Sequence, residues 1–375
     1  FVPSEPAIQK AVDLLLQAHS PIVICGGGVV ISGAEVALAN LVELLNIPVC
    51  TTVSGQGSLA GRHPLNAGVV GSNGGVIATR NIVAQADLVF FIGCRAGSTT
   101  TEHWRFPSPN TNIIHLDIDA NTIGVNYKTH APLFGDAKLT LELINLLLQK
   151  QIINRTKKVI DGKTLSLQSK EEKFAPFLQL AQSNDSPIVP ERIVHSLNRL
   201  LPKDAIICAD PGTPCPYFSA YFLSDLPGRH FITNRAHGAL GYAMSAAIGA
   251  AIGRPNLKSV AVMGDGSFGF TVGELETITR RKLPILMIVI SNSVYGWIKA
   301  SQKSGYDKRY FSVDFERTDH ARVAAAYGIQ SWRVDNPLQL DEVLKKAIES
   351  GAPALVDIIS QPLQDAAAPV SQWMG

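Results

Sequence analysis

The chain has 375 residues, 46% of them hydrophobic, enough for two or three domains with sizeable cores. Its net charge of +2 comes from 33 basic and 31 acidic side chains, spread without the basic stripe that marks nucleic-acid or membrane-surface binding. No apolar run reaches the ~20 residues that cross a bilayer. Nothing at the start resembles a signal peptide, and five cysteines without C-x-x-C spacing suit a reduced, cytoplasmic protein.

In chain order, residues 7–19 place apolar side chains at helical spacing. A buried strand at Pro21–Cys25 then runs into Gly26-Gly27-Gly28, with a helix near Ala34–Leu45. Further strands are predicted at Pro48–Val53, Leu88–Gly93 and Asn112–Ile118, separated by helical stretches. Such alternation predicts a parallel, doubly wound α/β sheet for residues 1–150. The glycine triplet is not G-x-G-x-x-G, and close packing where strand meets helix explains it at least as well as phosphate binding. Gly93-Cys94-Arg95-Ala96-Gly97 and Asp117-Ile118-Asp119 fall where strands should end, the edge on which open α/β sheets bind ligands. Arg95 there could clamp a nucleotide phosphate, and Asp117 or Asp119 could accept from a ribose hydroxyl.

Residues 151–186 turn polar, with Asn154-Arg155-Thr156-Lys157-Lys158 and Asn184-Asp185-Ser186-Pro187, and read as a partly helical linker. A second doubly wound domain, residues 187–362, opens with Val189-Pro190-Glu191, a helix to about Leu201 and a strand Ala205–Ala209 ending in Asp210. The prolines of Asp210-Pro211-Gly212-Thr213-Pro214-Cys215-Pro216 argue against regular structure there. Small residues from Ser245 to Gly253 predict a helix lying close against the sheet. Residues 302–317 mix aromatic and charged side chains in the manner of a mobile cover, and residues 363–375 read as a loose tail able to cover a neighbour.

The chemistry concentrates in two apolar runs. Val260-Ala261-Val262-Met263 ends in Gly264-Asp265-Gly266-Ser267, and Ile285–Ile290 ends in Ser291-Asn292, with a helix expected at Thr271–Arg281 between them. This βαβ unit brings Asp265 and Asn292 to the carboxyl edges of neighbouring strands. A carboxylate and an amide oxygen at such an edge suit Mg2+, which takes few protein ligands and completes its shell with phosphate oxygens and water. Gly266 and Ser267 open the next helix, where backbone amides can face a diphosphate. A lone Gly-Asp-Gly is better read as a turn; the pairing with Asn292 after 26 intervening residues reverses that.

This pattern resembles the cofactor motif of thiamine-diphosphate enzymes, which runs from Gly-Asp-Gly to a terminal asparagine. The resemblance implies Mg2+ held by Asp265, Asn292 and the carbonyl of Val294, with Gly264, Gly266, Ser267, Tyr295 and Gly296 around the diphosphate. The family has two asparagines in tandem where this chain has Ser291-Asn292, and the second is the ligand. The first half is similar to the central domain of the acetolactate synthase branch, which holds FAD or ADP or stays empty. Its opening resembles the branch's Pro-Val-x-x-x-Gly-Gly-Gly, with Ile22 in the place of the valine, and it shares the Gly-x-Arg motif and the sequence Asp117-Ile118-Asp119 to Ile123-Gly124. The residues after Arg95 depart from the Phe-Asp-Asp-Arg run of the FAD-binding members.

Gly212, Thr213 and Pro214 stand where that branch has Gly-Gln-His against the diphosphate, so Thr213 keeps a donor that Pro214 lacks. The segment Ala236–Met244 resembles the one that grips the aminopyrimidine ring. That likeness gives Gly238 a carbonyl for the exocyclic amine, Ala239 a place beside it and Leu240 the role of prop for the bent cofactor. His237 is an acid/base candidate, equally readable as an idle loop histidine. Trp297 takes the place of a family methionine and Ser301 that of a tryptophan near the substrate channel, so the acceptor pocket differs.

The resemblance implies a decarboxylase or carboligase acting on a 2-oxo acid. The family glutamate that activates the pyrimidine ring lies in a separate pyrimidine-binding domain, and Glu274 and Glu276, on the metal side, are poor substitutes. The expectation is one part of a split or cleaved enzyme, active with a chain or region that supplies that domain, in a homo- or hetero-oligomer. Two alternatives stand beside it. One is a thiamine-diphosphate enzyme for a sulfo-, phosphono- or acyl-CoA substrate, suggested by Lys299, Lys303, Lys308 and Arg309. The other is a non-catalytic nucleotide-binding subunit.

Overall fold

Runs of β-branched and aromatic residues become strands buried on both faces, as a parallel sheet covered by helices requires. In the computed structural model, which describes residues 1–152, 160–234, 237–366 and 368–370, the chain forms two units. The first is Phe1–Lys173 with Ser224–Arg229, the second Phe174–Leu223 with His230–Gly375.

The first unit holds β1 (Pro21–Cys25), β2 (Val49–Thr51), β3 (Asn66–Val69), β4 (Leu88–Ile92), β5 (Asn112–Asp117) and β6 (Ala131–Phe134). They form one sheet in the order β3-β2-β1-β4-β5-β6, parallel throughout. The α/β reading holds, and the predicted strands stand within a residue or two of their expected bounds. The edge strands β3 and β6 had no sequence signal. One contains Gly68, and the other carries Pro132, which an edge strand tolerates because it need not donate on both sides.

The second sheet comprises β7 (Ile206–Ala209), β8 (Phe231–Thr233), β9 (Ser259–Gly264), β10 (Leu286–Ser291), β11 (Gln330–Val334) and β12 (Ala354–Ile359), in the order β11-β12-β10-β9-β7-β8. All its pairings are parallel. The helix expected at Thr271–Arg281 is Glu274–Arg280, starting after Gly273, and the helix that Gly266 and Ser267 open is a separate one, Asp265–Thr271. Two expectations change here. The proline-rich loop is helical from Pro214 to Tyr221. Pro214 and Pro216 sit in its first turn, where backbone N–H groups have no helical partner and proline loses nothing. The tail begins packed rather than loose. Leu363 is fully buried, and the Gln364 carbonyl accepts from Lys303 Nζ at 2.7 Å.

Within the supposed linker, Gly162–Ala181 is a continuous helix; residues 154–158 lie outside the described residues, as do Ala236 and residues 371–375. All five cysteines are buried and none forms a disulfide, and no described helix is long and apolar enough to cross a membrane.

One buried acid makes stability pH-dependent. Glu191, in the first turn of the helix Pro190–Leu200, is 1% exposed, and its Oε1 and the Tyr217 hydroxyl are both buried without hydrogen-bond partners. Burial pushes its carboxyl up to about 7 from 4.5. Below 4.5 both the folded and the unfolded chain keep the proton. Between 4.5 and about 7 the unfolded chain releases it first, so stability falls as pH rises, and above about 7 the loss is complete. Glu191→Gln is therefore expected to raise stability at pH 8 by up to about 3 kcal/mol, and to flatten the decline between pH 5 and 7 in urea unfolding.

Candidate functional site

The second sheet reverses direction at the gap between β7 and β9. The chain leaves β7 outward to β8, then returns to the other side as β9. Loops at the carboxyl ends diverge at such a gap and leave a crevice. Its lining comes from the loop after β7 (Pro211, Gly212, Thr213), from Gly238 and Leu240, from Gly264–Ser267 and from Val294–Ile298. Gly212 faces Leu240 across it: a Cβ on the glycine would lie 3.5 Å from Leu240 Cδ2.

Asp265 and Asn292 meet there. Asp265 Oδ2 accepts the backbone N–H groups of Asn292 at 2.7 Å and Ser293 at 2.6 Å, while Oδ1 accepts from Gly266 at 2.8 Å. Burial raises the Asp265 carboxyl above the usual range, and the amides of Ser293, Gly266 and Asn292 oppose the rise. The Asn292 side-chain Nδ2 is buried with no hydrogen-bond partner; it is a donor, and only the amide oxygen Oδ1 could ligate a cation. A carboxylate followed across the turn by an amide that can present its oxygen suits a hard divalent cation. Among the described residues no three His, Cys, Asp or Glu side chains gather as a metal site. Mg2+, which relies on few protein ligands, does not need such a group.

The turn after Asn292 is pinned. Ser293 takes a left-handed backbone at φ 56°, Val294 bridges antiparallel to Asp314, and Tyr295 N donates to the Val313 carbonyl at 2.8 Å. The far end of the 302–317 stretch is thus fastened to the site, and its near end is the helix Gly296–Gly305. Tyr295 lays its ring over Gly266, where a Cβ would stand 2.6 Å from Cε1. Gly296 is wedged between Leu363 and Thr213 Oγ1, at 2.9 and 3.1 Å from its own would-be Cβ.

Some predicted residues fare differently. The Gly266 amide is committed to Asp265, which removes it from the expected diphosphate contacts. His237 and Ala239 are exposed, and neither lines the crevice. In the first unit the glycine triplet is spent on packing. Gly26 N donates to Ile92 O and Gly28 N to Gly93 O, and a Cβ on Gly26 would reach Gly93 O at 2.0 Å. Asp117 and Asp119 accept from backbone N–H groups two residues on, and Arg95 is exposed. Lys299, a reason to consider anionic substrates, is held by Asp314 at 2.5 Å and by the Tyr310 ring at 4.9 Å.

Sequence reasoning gave no role to Asp210. It is fully buried, its Oδ1 accepts from Ala243 N at 3.1 Å, and the Ser267 hydroxyl also bonds to the carboxyl. Burial pushes its carboxyl up to about 6, against the amides at the start of the helix Tyr242–Gly253. The signal was its place at the end of a strand, the same signal that marked Asp265. Trp297 and Ile298, also on the lining, follow from the helix that starts at Gly296.

Two family models match the chain: the thiamine pyrophosphate enzyme central domain over residues 8–144, and the C-terminal TPP binding domain of the same enzymes over residues 210–358. The chain belongs to the thiamine pyrophosphate enzymes. It is homologous to acetolactate synthase large subunits along nearly all of its length. A probable acetolactate synthase large subunit of Methanococcus aeolicus is 34% identical over 363 residues, 95% of this chain and 60% of the relative. Its counterpart in Methanocaldococcus jannaschii is 33% identical over 368 residues, again 95% and 60%. The isozyme 3 large subunit of Escherichia coli K12 is 29% identical over 344 residues, 91% and 59%. The chain thus spans about 60% of the length of these curated relatives.

Gly266→Ala is expected to cost about 1–3 kcal/mol, since the new methyl drives the Tyr295 ring aside. Tyr295→Ala in the same chain should recover most of that loss, and a double-mutant cycle in urea measures the coupling.

Proposed function

We propose that this chain forms the central and diphosphate-binding part of a thiamine-diphosphate- and Mg2+-dependent enzyme that decarboxylates or joins 2-oxo acids, in the manner of acetolactate synthases. The observation that carries the reading is the Asp265 carboxylate bonded to the Asn292 turn at the β7/β9 crevice. Asp265, the Asn292 amide and the Val294 carbonyl would hold the cation. Thr213 and Ser267 would face the diphosphate, Gly238 would offer its carbonyl to the aminopyrimidine, and Leu240 would support the bent cofactor. Bound thiamine diphosphate supplies an electron sink for decarboxylation. The part of this chain is to bind and orient it, and to narrow the crevice with Tyr295, Trp297 and Ile298 against water.

The glutamate that activates the pyrimidine ring comes, on this reading, from a pyrimidine-binding domain on another chain or another region of the same protein. Glu276 supports this, being exposed and paired with Arg280 at 2.8 Å. The functional unit is then an oligomer in which the two parts share a site. The engagement of Lys299 and of Lys303 favours a 2-oxo acid over a sulfo- or phosphono-substrate.

Calorimetric titration of thiamine diphosphate is expected to show binding that requires Mg2+. Asp265→Ala should weaken it about 100-fold, the ~3 kcal/mol of a lost charged contact. Pyruvate added to the chain with both cofactors should turn over only when a pyrimidine-binding domain is supplied; robust turnover by the chain alone would refute the shared site.

A further inference from the structure

Behind the Asn292 turn lie three buried polar side chains that the cofactor reading leaves unused. Ser291 ends β10, Asp357 lies within β12 and His320 opens the helix His320–Ala326; they are 4%, 0% and 7% exposed. Ser291 Oγ donates to Asp357 Oδ1 at 2.5 Å and stands 3.1 Å from His320 Nδ1. Asp357 Oδ2 accepts the His320 backbone N–H at 3.1 Å. Counting protons sets the direction of the remaining contact. A serine hydroxyl has one proton and a carboxylate only accepts, so with that proton on Asp357 the Ser291 oxygen must accept from the ring. His320 therefore carries a proton on Nδ1.

The cluster adjoins both elements that carry the candidate cation-binding residues. Ser291 directly precedes Asn292, and the imidazole stands edge-on to Phe268, centroids 5.2 Å apart, in the helix that begins at Asp265. It is also the polar exception in its surroundings. Residues 286–290 of β10 are all apolar, and Asp357 is the one polar residue among Ala354–Ile359 of β12. Closing these two strands needs only apolar side chains, and burying polar ones costs more than it returns unless every partner is met. Just beyond, Ser293 holds a left-handed backbone, a conformation that persists only where its surroundings over-determine it. The amide bonds to Asp265 fix the turn from the front; Ser291 fixes it from behind.

We propose that Ser291, His320 and Asp357 form a positioning cluster that holds the Asn292 turn so that the Asn292 amide and the Val294 carbonyl meet a divalent cation on Asp265. The proposal rests on the cofactor reading and adds to it which buried groups set the metal affinity. Outer partners of this kind commonly change metal affinity about 10- to 100-fold when removed.

The test uses the whole chain with thiamine diphosphate and Mn2+ as probe, free Mn2+ being followed by electron paramagnetic resonance well below each variant's unfolding midpoint. Ser291→Ala and His320→Leu should weaken Mn2+ binding about 10- to 100-fold. His320→Asn, which keeps an N–H near the place of Nδ1, should bind within about threefold of wild type, since the hydrogen bond to Ser291 survives. If Ser291→Ala fails to fold, the two His320 variants decide by themselves. Lowered unfolding midpoints with unchanged Mn2+ affinity would make the cluster merely structural and overturn the proposal. So would His320→Asn losing as much affinity as His320→Leu. A wild-type chain that binds neither Mn2+ nor thiamine diphosphate overturns the cofactor reading and this proposal together, whereas tight binding by wild type and variants alike overturns this proposal alone.

Discussion

The second unit depends on one carboxylate answering three backbone amides. Asp265 receives N–H groups from its own helix start and from the turn after β10, so the carboxyl ends of two neighbouring strands are tied through a single side chain. A buried carboxylate is costly, and this one is tolerated because each bond to it is charge-assisted. The same bonds that offset its burial hold the Asn292–Ser293 turn against it. Structure and candidate chemistry thus share one interaction.

The two units show how one winding pattern yields different gaps. Both sheets reverse direction between two interior strands, β1 and β4 in the first and β7 and β9 in the second. In the first unit the glycines after β1 let the backbone after β4 approach until carbonyl and amide bond directly, and packing takes up the gap. In the second, the loop after β7 is stiffened by prolines and turns at once into a helix, while Gly266 leaves room for the Tyr295 ring. The open crevice therefore belongs to the second unit, the region matched by the C-terminal TPP binding model.

None of the described residues that line the crevice is a glutamate. On the reading proposed above, the acid that activates the pyrimidine ring would come from another chain or region, and assembly would then control activity.

By itself the sequence determined the α/β winding, the central strands of both sheets and the Asp265–Asn292 pairing. Each of these is encoded locally, by an apolar run of strand length followed by a polar or glycine residue at its end. Tertiary structure alone decided the rest. The edge strand Asn66–Val69 is largely buried but only four residues long and includes Asn66 and Gly68, so no apolar run marks it in the sequence, and Pro214 and Pro216 enter a helix because only the fold shows that they occupy its first turn. The exposure of His237, the commitment of the Gly266 amide and the burial of Leu363 follow from which loops lie against which. Ser291, His320 and Asp357 lie up to 66 residues apart. No local period records such a meeting, for it exists only once β10, β12 and the helix at His320 have packed together.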